Sequence, residues 1–463
     1  MGTTVDTERL GARAREIAAE EQRRLLDKTQ GSRQLYERAL KSLPLGVASS
    51  FQSNDPYPIY LERGQGSRVW DVDGTEYVDF HGGFGVNVVG HAHPKVVAAL
   101  ERAARTGTHF AVTTETTVAL AEELCRRFRL DQVRFTNSGT ESTMDAVRIA
   151  RAVTGRDTIL KIEGSYHGHH DAVMFSVVPN SDALELKETT VGEGAAYTTV
   201  PFSKGIPADT SRHTLIVPFN DPVALERTLT ERGDEIAALI MEPVMMNIGI
   251  AQPDPGYLER VRELCTKHGV VLIFDEVKSG ATIAAGGAIE RFGVEPDLAC
   301  FAKAIGGGAP IGAFGGKASV MEIIGSGAAQ LGTFNGNPLS SGAGLAALTE
   351  VLTPDAYDHL GKIGSVLAEG CQHVIDELGI PAVAVDLGAK GCVTWRSKPL
   401  RNYRDFLECN TDVFEASWLW VLNRGVFMTP GDDEQWTLSV QHTEEDVRRY
   451  VDAFAEYCAA LTA

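Results

Sequence analysis

The sequence lacks several features, and each absence removes a class of function. No CxxC pair occurs, and the seven cysteines (Cys125, Cys265, Cys300, Cys371, Cys392, Cys409 and Cys458) are odd in number and scattered. That argues against a disulfide scaffold or a cysteine-rich zinc site, and for reduced thiols in the cytoplasm. No apolar run reaches the length that spans a bilayer. The first 25 residues, MGTTVDTERLGARAREIAAEEQRRL, contain no apolar signal core and read as a charged amphipathic helix. Positive charge is scarce: 43 Lys and Arg stand against 62 Asp and Glu, a formal net charge of −19. Such a chain repels nucleic acid and anionic membranes, so neither is expected as a partner. An anionic small ligand is still allowed, because a local pocket can oppose the global field. Internal repeats and low-complexity stretches are also missing.

What is present suits a soluble globular protein. The chain has 463 residues, too many for one small core, and 47 of them are glycine, as expected where backbone approaches ligands closely. Residues 8–28 read as a polar helix with sparse apolar positions (Leu10, Ile17, Leu25). A second helix is expected from Ser32 to just before Pro44. The Asp73-Gly74 pair, set between β-rich runs at 67–80, signals a hairpin. From Pro94 onward helix and strand alternate. Short apolar runs at 132–135, 157–162, 236–241, 270–274 and 297–301 are separated by helical stretches. That pattern predicts a mostly parallel sheet covered on both faces. After about residue 345, longer helices (355–378, 408–424, 443–461) surround short strands. The expected division is 1–80 for N-terminal helices and hairpin, packed on the small domain and a partner subunit. Residues 81–345 then form a large α/β domain, and 346–463 a smaller α+β domain. Residues 179–215 read as a long polar loop of the kind that forms lids.

Polar residues gather directly after the predicted strands: Asn137 and Ser138, Glu163 to His167, Glu242, Asp275 and Lys303. In an open α/β sheet, ligands bind beyond the carboxyl ends of the strands. NSGTES (137–142) lies between a strand and a helix, where backbone amides with Ser138 and Thr140 can cradle a phosphate; an N-cap serving the helix alone reads the same way. Asp275 is a carboxylate at the end of an apolar strand. It is costly there unless it meets a cation, which a pyridinium nitrogen or a structural salt bridge would provide. Lys303 follows another apolar strand and precedes a glycine-dense turn. A desolvated lysine there becomes a nucleophilic amine, although a lysine can also snorkel from a strand end. Lys278 is a rival amine without the glycine bed. Tyr166 and His167 can stack on an aromatic ring. His167, His169 and His170 lack a convincing metal-ligand spacing. Asn247 can meet a phenolic oxygen.

Taken together these segments resemble the class III aminotransferases, pyridoxal 5'-phosphate enzymes of fold type I, and most closely the glutamate-1-semialdehyde aminomutase branch. The resemblance runs through GVASS, VWDVDGTEYVDF, GHAHPKV, RFTNSGTES, YHGHHD, EPVMMNIGI, FDEV, AKAIGGGAPIGAFGG, GTFNGNPLS and TPGDDEQWTLSVQHT, in order, over about residues 32–460. It implies a Schiff base between pyridoxal phosphate and Lys303, with Asp275 on the pyridine nitrogen. Ser138, Gly139 and Thr140 would hold the phosphate. Tyr166, with His167 beside it, would cover one ring face and Val277 the other, and Asn247 would meet the ring oxygen. Thr333 would reach the phosphate of a neighbouring subunit, which implies a homodimer. The implied activity is ping-pong transfer of an amino group from a small-molecule donor to a carbonyl acceptor, the alternative being an aminomutase. Two departures bear on substrate. The arginine that holds a carboxylate in the aminomutase pattern is Gln52 here, and another is replaced by Thr282. Arg401 resembles a carboxylate-binding arginine of the β-amino-acid branch, although a surface charge in a loop reads equally well. Glu434 matches a glutamate near the aminomutase site.

Overall fold

The structure is a computed structural model that describes residues 7–177 and 199–463. Its centre is a seven-stranded sheet in the order β4-β10-β9-β8-β7-β5-β6. The strands are β4 (Gln132–Thr136), β5 (Thr158–Ile162), β6 (Thr214–Val217), β7 (Ile236–Met241), β8 (Val271–Asp275), β9 (Leu298–Phe301) and β10 (Gly312–Gly316). Six run parallel, and β10 alone runs antiparallel, against β4 on one side and β9 on the other. A second sheet joins β1 (Leu61–Gln65), β2 (Arg68–Asp71) and β3 (Glu76–Asp79) to β13 (Val426–Phe427), which lies parallel to β3. A third contains β11 (Val383–Leu387), β12 (Lys390–Thr394) and β14 (Trp436–Thr437). The chain's beginning and end therefore share one sheet.

The apolar runs of the sequence become β5, β7, β8 and β9, and every residue in them is buried. Burying each large aliphatic side chain contributes about 1.5–3 kcal/mol, which is why these strands occupy the middle of a sheet covered on both faces. The helices Gly139–Thr154, Pro222–Arg232 and Tyr257–His268 lie between successive strands in the chain. One charged residue interrupts the apolar pattern. Lys161 of β5 is fully buried, and its amine donates to the Ser165 carbonyl (2.9 Å) and the Phe175 carbonyl (2.7 Å). It ties down the segment that carries Tyr166 and His167.

Several expectations shift. The second helix spans Gln30–Ala39, so it begins before Ser32 and ends well short of Pro44. The N-terminal helix, Thr7–Lys28, buries Leu10, Ala14, Ile17 and Leu25 and packs on the helix Thr411–Asn423. The glycine-dense stretch after Lys303 is only half a turn, because its second half is the strand β10. Of the expected 179–215 loop, residues 179–198 lie outside the described residues. Its far end enters a 3-10 helix, Ala208–His213, and then β6. Periodicity misses β6 and β10 because both are short and β10 is mostly glycine.

Those glycines are required by backbone approach. A Cβ at Gly315 would stand 2.3 Å from the Gln132 carbonyl oxygen, and one at Gly316 would stand 2.0 Å from the Asp297 carbonyl oxygen. Neither neighbour is a side chain that can move aside. We expect Gly316→Ala to cost at least ~3 kcal/mol, the upper end of ordinary overpacking. Gly361→Ala, in the open face of the helix Pro354–Leu378, should instead stabilise by roughly 0.4–1 kcal/mol. Urea midpoints of the two variants test the contrast.

Candidate active site

Five parallel strands end on the same edge of the sheet, and the residues just past those ends meet in one cavity of about 310 Å³. That volume lies at the lower end of the range for small-ligand sites. Its lining includes Thr140 after β4, Tyr166 and His167 after β5, Glu242 after β7, Asp275 and Val277 at the end of β8, and Lys303 after β9. Asn247 and Glu434 complete its polar surface, and Phe51 and Phe84 form part of its wall. The convergence expected from sequence is the geometry observed.

Lys303 occupies a left-handed backbone position (φ 50°), which a non-glycine residue adopts only at a cost. The turn Lys303–Gly306 follows at once, so the strained residue aims its amine into the cavity rather than along the strand. Burial, and then the nearby Lys278 charge, push this amine down to about 8. Lys303 therefore carries a usable fraction of neutral amine near neutrality.

Asp275 is 5% exposed. One carboxylate oxygen accepts from the Val277 backbone N–H (3.0 Å), and the other meets His167 Nδ1 at 2.8 Å. His167 therefore orients Asp275, a contact the sequence did not announce, while lining the cavity beside Tyr166. Its Nε2 is buried with no hydrogen-bond partner among the described residues. Each Asp275 oxygen has one hydrogen-bond partner among the described residues and retains capacity for another donor. An N–H cation such as a protonated pyridine suits that demand.

The helix Gly139–Thr154 points its N-terminus at the cavity, where its dipole favours an anion. Of the two sequence readings of NSGTES, the N-cap is the one observed directly. The Ser138 hydroxyl caps the helix by accepting from the Glu141 N–H (3.2 Å), so it is occupied by the helix, while Gly139 and Thr140 line the cavity. Gly139 fits between Val277 and Ala302: a Cβ there would lie 3.1 Å from both Val277 methyls. Gly168 approaches Thr140 still more closely, with a Cβ position 2.6 Å from the Thr140 hydroxyl. These glycines keep the cradle open. A carboxylate that needs a cationic N–H, an amine, an anion-favouring helix end and apolar faces at Val277 and Tyr166 together fit pyridoxal phosphate.

The remaining candidates divide. Glu434 lines the cavity and holds Lys278 through both oxygens (2.9 Å each). Lys278, the rival amine, is thus committed to an ion pair. Gln52 is not brought to this cavity; it lines an adjoining one, and its neighbour Phe51 takes the place facing Lys303's cavity. Arg401 also stays away. It is mostly exposed and pairs with Asp254 on the surface, so the surface-charge reading holds and the carboxylate-binding one does not. Thr282 is buried and donates to the Lys278 carbonyl (2.7 Å). Thr333 is exposed and lies outside the cavity of its own chain. Sequence reasoning missed Phe51, Phe84 and the buried Lys390. The string GGFG (82–85), with positive φ at Gly82, Gly83, Phe84 and Gly85, was the available signal for a backbone shaped around a ligand. Lys390 sits in a short strand without any flanking signal.

Comparison with known proteins agrees with the geometry. Residues 50–384 match the family described as aminotransferase class-III. The chain is 40% identical over 428 residues to glutamate-1-semialdehyde 2,1-aminomutase 2 of Brevibacillus brevis, covering 91% of this chain and 96% of that one. Among solved structures, an omega-transaminase from Sphaerobacter thermophilus matches with a TM-score of 0.87 at 35% identity, over 93% of this chain and 98% of that one. A glutamate-1-semialdehyde aminomutase from Pseudomonas aeruginosa PAO1 matches with the same TM-score at 29% identity, over 97% and 99%.

Only the neutral amine of Lys303 is nucleophilic, so its reactivity should rise as pH climbs through about 8. At pH 7 its neutral fraction should exceed that of an ordinary lysine on the order of two-hundredfold. Labelling with a small amine-directed electrophile, read at the Lys303 peptide across pH 6–11, checks this. A midpoint near that of a free lysine would contradict it.

Proposed function

The chain belongs to the class III aminotransferases, pyridoxal-phosphate enzymes of fold type I, and we propose that it transfers an amino group between a donor amine and a carbonyl acceptor in two half-reactions. The observation that carries this choice over the aminomutase alternative is at position 52. The aminomutase pattern has its carboxylate-holding arginine there. In this chain the residue is Gln52, which faces the adjoining cavity, and no arginine lines the cavity of Lys303 among the described residues.

In this reading Lys303 holds the cofactor covalently and Asp275 meets its ring nitrogen. Gly139, Thr140 and the helix end hold its phosphate, Tyr166 and Val277 flank its two faces, and Asn247 reaches its ring oxygen. Bound there, pyridoxal phosphate supplies an electron-withdrawing ring that stabilises negative charge on the substrate carbon attached to it. Asp275 keeps the ring nitrogen cationic, and His167 fixes Asp275 in position. Once the donor amine has displaced it, the freed neutral Lys303 Nζ would remove a proton from the substrate carbon and give it up again, serving as base and then acid. Phe51, Phe84 and Tyr166 exclude water from that transfer. Phe51 packs edge-on against Tyr166 (ring centroids 5.4 Å apart) and lies 6.2 Å from Phe84.

A second copy of the chain completes the site in this proposal. Thr333 lies between Leu331 and Phe334, both strongly exposed. Exposed apolar residues on either side of a phosphate-binding candidate suit burial against a partner.

Mixing the holoenzyme with a single amino donor should bleach the visible absorption of the bound cofactor and stop after one equivalent. Sustained turnover should require a separate carbonyl acceptor and give parallel-line kinetics. Lys303→Ala should slow the half-reaction by at least ~100-fold. Continuous conversion of one substrate with no acceptor would favour the aminomutase reading.

A further inference from the structure

The loop that carries Tyr166 and His167 is gripped by a distant part of the chain that the chemistry above does not use. Glu163, the first residue after β5, is 4% exposed by side chain. Arg404 holds it through two bonds, Nε to one carboxylate oxygen (2.8 Å) and Nη2 to the other (2.7 Å), across 241 residues of sequence. The adjoining Gly164 has φ 81°, and a Cβ there would stand 2.5 Å from the ring of Tyr403. Tyr403 is buried, so its ring is seated directly on the Gly164 backbone. Residues 401–404 have a second anchor. Asn220, after β6, donates to the Arg401 carbonyl (2.9 Å) and to the Gln252 carbonyl (2.9 Å). Asn402 caps the short helix Tyr403–Phe406 and accepts the Arg404 N–H (2.9 Å), which fixes where the guanidinium begins.

From Glu163 onward the loop is restrained residue by residue. The Ser165 carbonyl accepts from Lys161 (2.9 Å), the Tyr166 N–H donates to Glu242 (3.0 Å), and the His167 carbonyl accepts from Thr143 (2.6 Å). His167 then meets Asp275. The first of these restraints is electrostatic. Burial pushes the Lys161 amine down to about 7, against the pull of Glu242 and Glu163. Lys161 is therefore an incomplete counter-charge near neutrality, whereas a guanidinium stays charged. Arg404 is the cation in direct contact with Glu163. Without it a buried carboxylate three residues before Tyr166 would stand unpaired, and the loop would have to shift to hydrate it.

We propose that Arg404 is a positioning residue for the cofactor. It touches neither cofactor nor substrate and acts through Glu163: with Tyr403 seated on Gly164, it fixes the loop that sets Tyr166 over the cofactor ring and His167 against Asp275. Loss of the grip loosens both contacts at once, so cofactor affinity and the charge held on the ring nitrogen change together. A merely structural ion pair would change stability alone. This role rests on the reading that Tyr166 and Asp275 meet pyridoxal phosphate, and it is independent of which amine or carbonyl is the substrate.

Release of pyridoxal phosphate from the holoenzyme is measured by equilibrium dialysis, and the visible absorption of the bound cofactor is titrated with pH. The variants are Arg404→Lys, Arg404→Met, and Arg404→Met combined with Glu163→Gln, which leaves no buried charge unpaired if the single variant does not fold. Both Met forms should hold the cofactor at least about tenfold more weakly, the scale on which a displaced contact acts at a distance. They should also raise the pH midpoint of the absorption, because a loosened Asp275 keeps less positive charge on the ring nitrogen. Arg404→Lys keeps the charge without the fork and should fall in between. Arg401→Met, which loses an exposed pair with Asp254 but keeps its carbonyl anchor, should stay within about twofold of the natural chain. Unchanged affinity and midpoint in whichever Arg404 variants fold would overturn the proposal, even with a lowered Tm. Asp275→Asn, measured in parallel, separates the two readings: if it too leaves affinity and midpoint unchanged, the placement of the cofactor is what fails, and if it alone changes them, the role of Arg404 is.

Discussion

A carboxylate buried at the end of a central strand demands a cation, and the rest of the site is arranged around that demand. Asp275 stands at the last position of β8, where both sheet faces are covered and water is excluded. His167 and the Val277 N–H hold it in one orientation without neutralising it by an arginine or a lysine. A protonated ring nitrogen would satisfy the demand. The strand on one side, β9, then delivers Lys303, and the helix after β4 delivers an anion-favouring N-terminus. The parallel sheet matters because it brings these ends to one edge. Burial that makes Asp275 costly also lowers the Lys303 amine, so the same dry interior serves both groups.

Much of this was legible in the sequence, for physical reasons. Continuous apolar runs have to become buried strands, and that fixed β5, β7, β8 and β9. Polar residues placed directly after such runs can only gather at the carboxyl edge of a parallel sheet, so Asp275, Lys303, Tyr166 and Glu242 were visible together. The order of the motifs then supplied the family. What stayed hidden depended on packing between distant segments. β10 is mostly glycine, and nothing in its composition announces that it threads between β4 and β9. His167 looked like a ring-stacking residue because its aromatic character is local, whereas its bond to Asp275 spans 108 residues. Phe51, not Gln52, faces Lys303's cavity because the 3-10 turn Ser50–Gln52 decides which side chain points inward. Arg401 was ambiguous in sequence, and a surface aspartate resolves it.

The charges that distinguish this chain lie at the other end of the cavity. Lys278 appeared in sequence only as a competitor for Lys303's role. Its ion pair with Glu434 removes it from that competition. Two segments that looked unrelated, EVKSG and GDDEQ, are joined by this pair across 156 residues.

The central claim is that Lys303, aimed by its left-handed backbone, is the amine that holds the cofactor. Reducing the holoenzyme with borohydride and mapping the modified peptide by mass spectrometry tests it most directly. The account predicts a single pyridoxyl label on Lys303. A label on Lys278, or no lysine label in a cofactor-saturated protein, would contradict it.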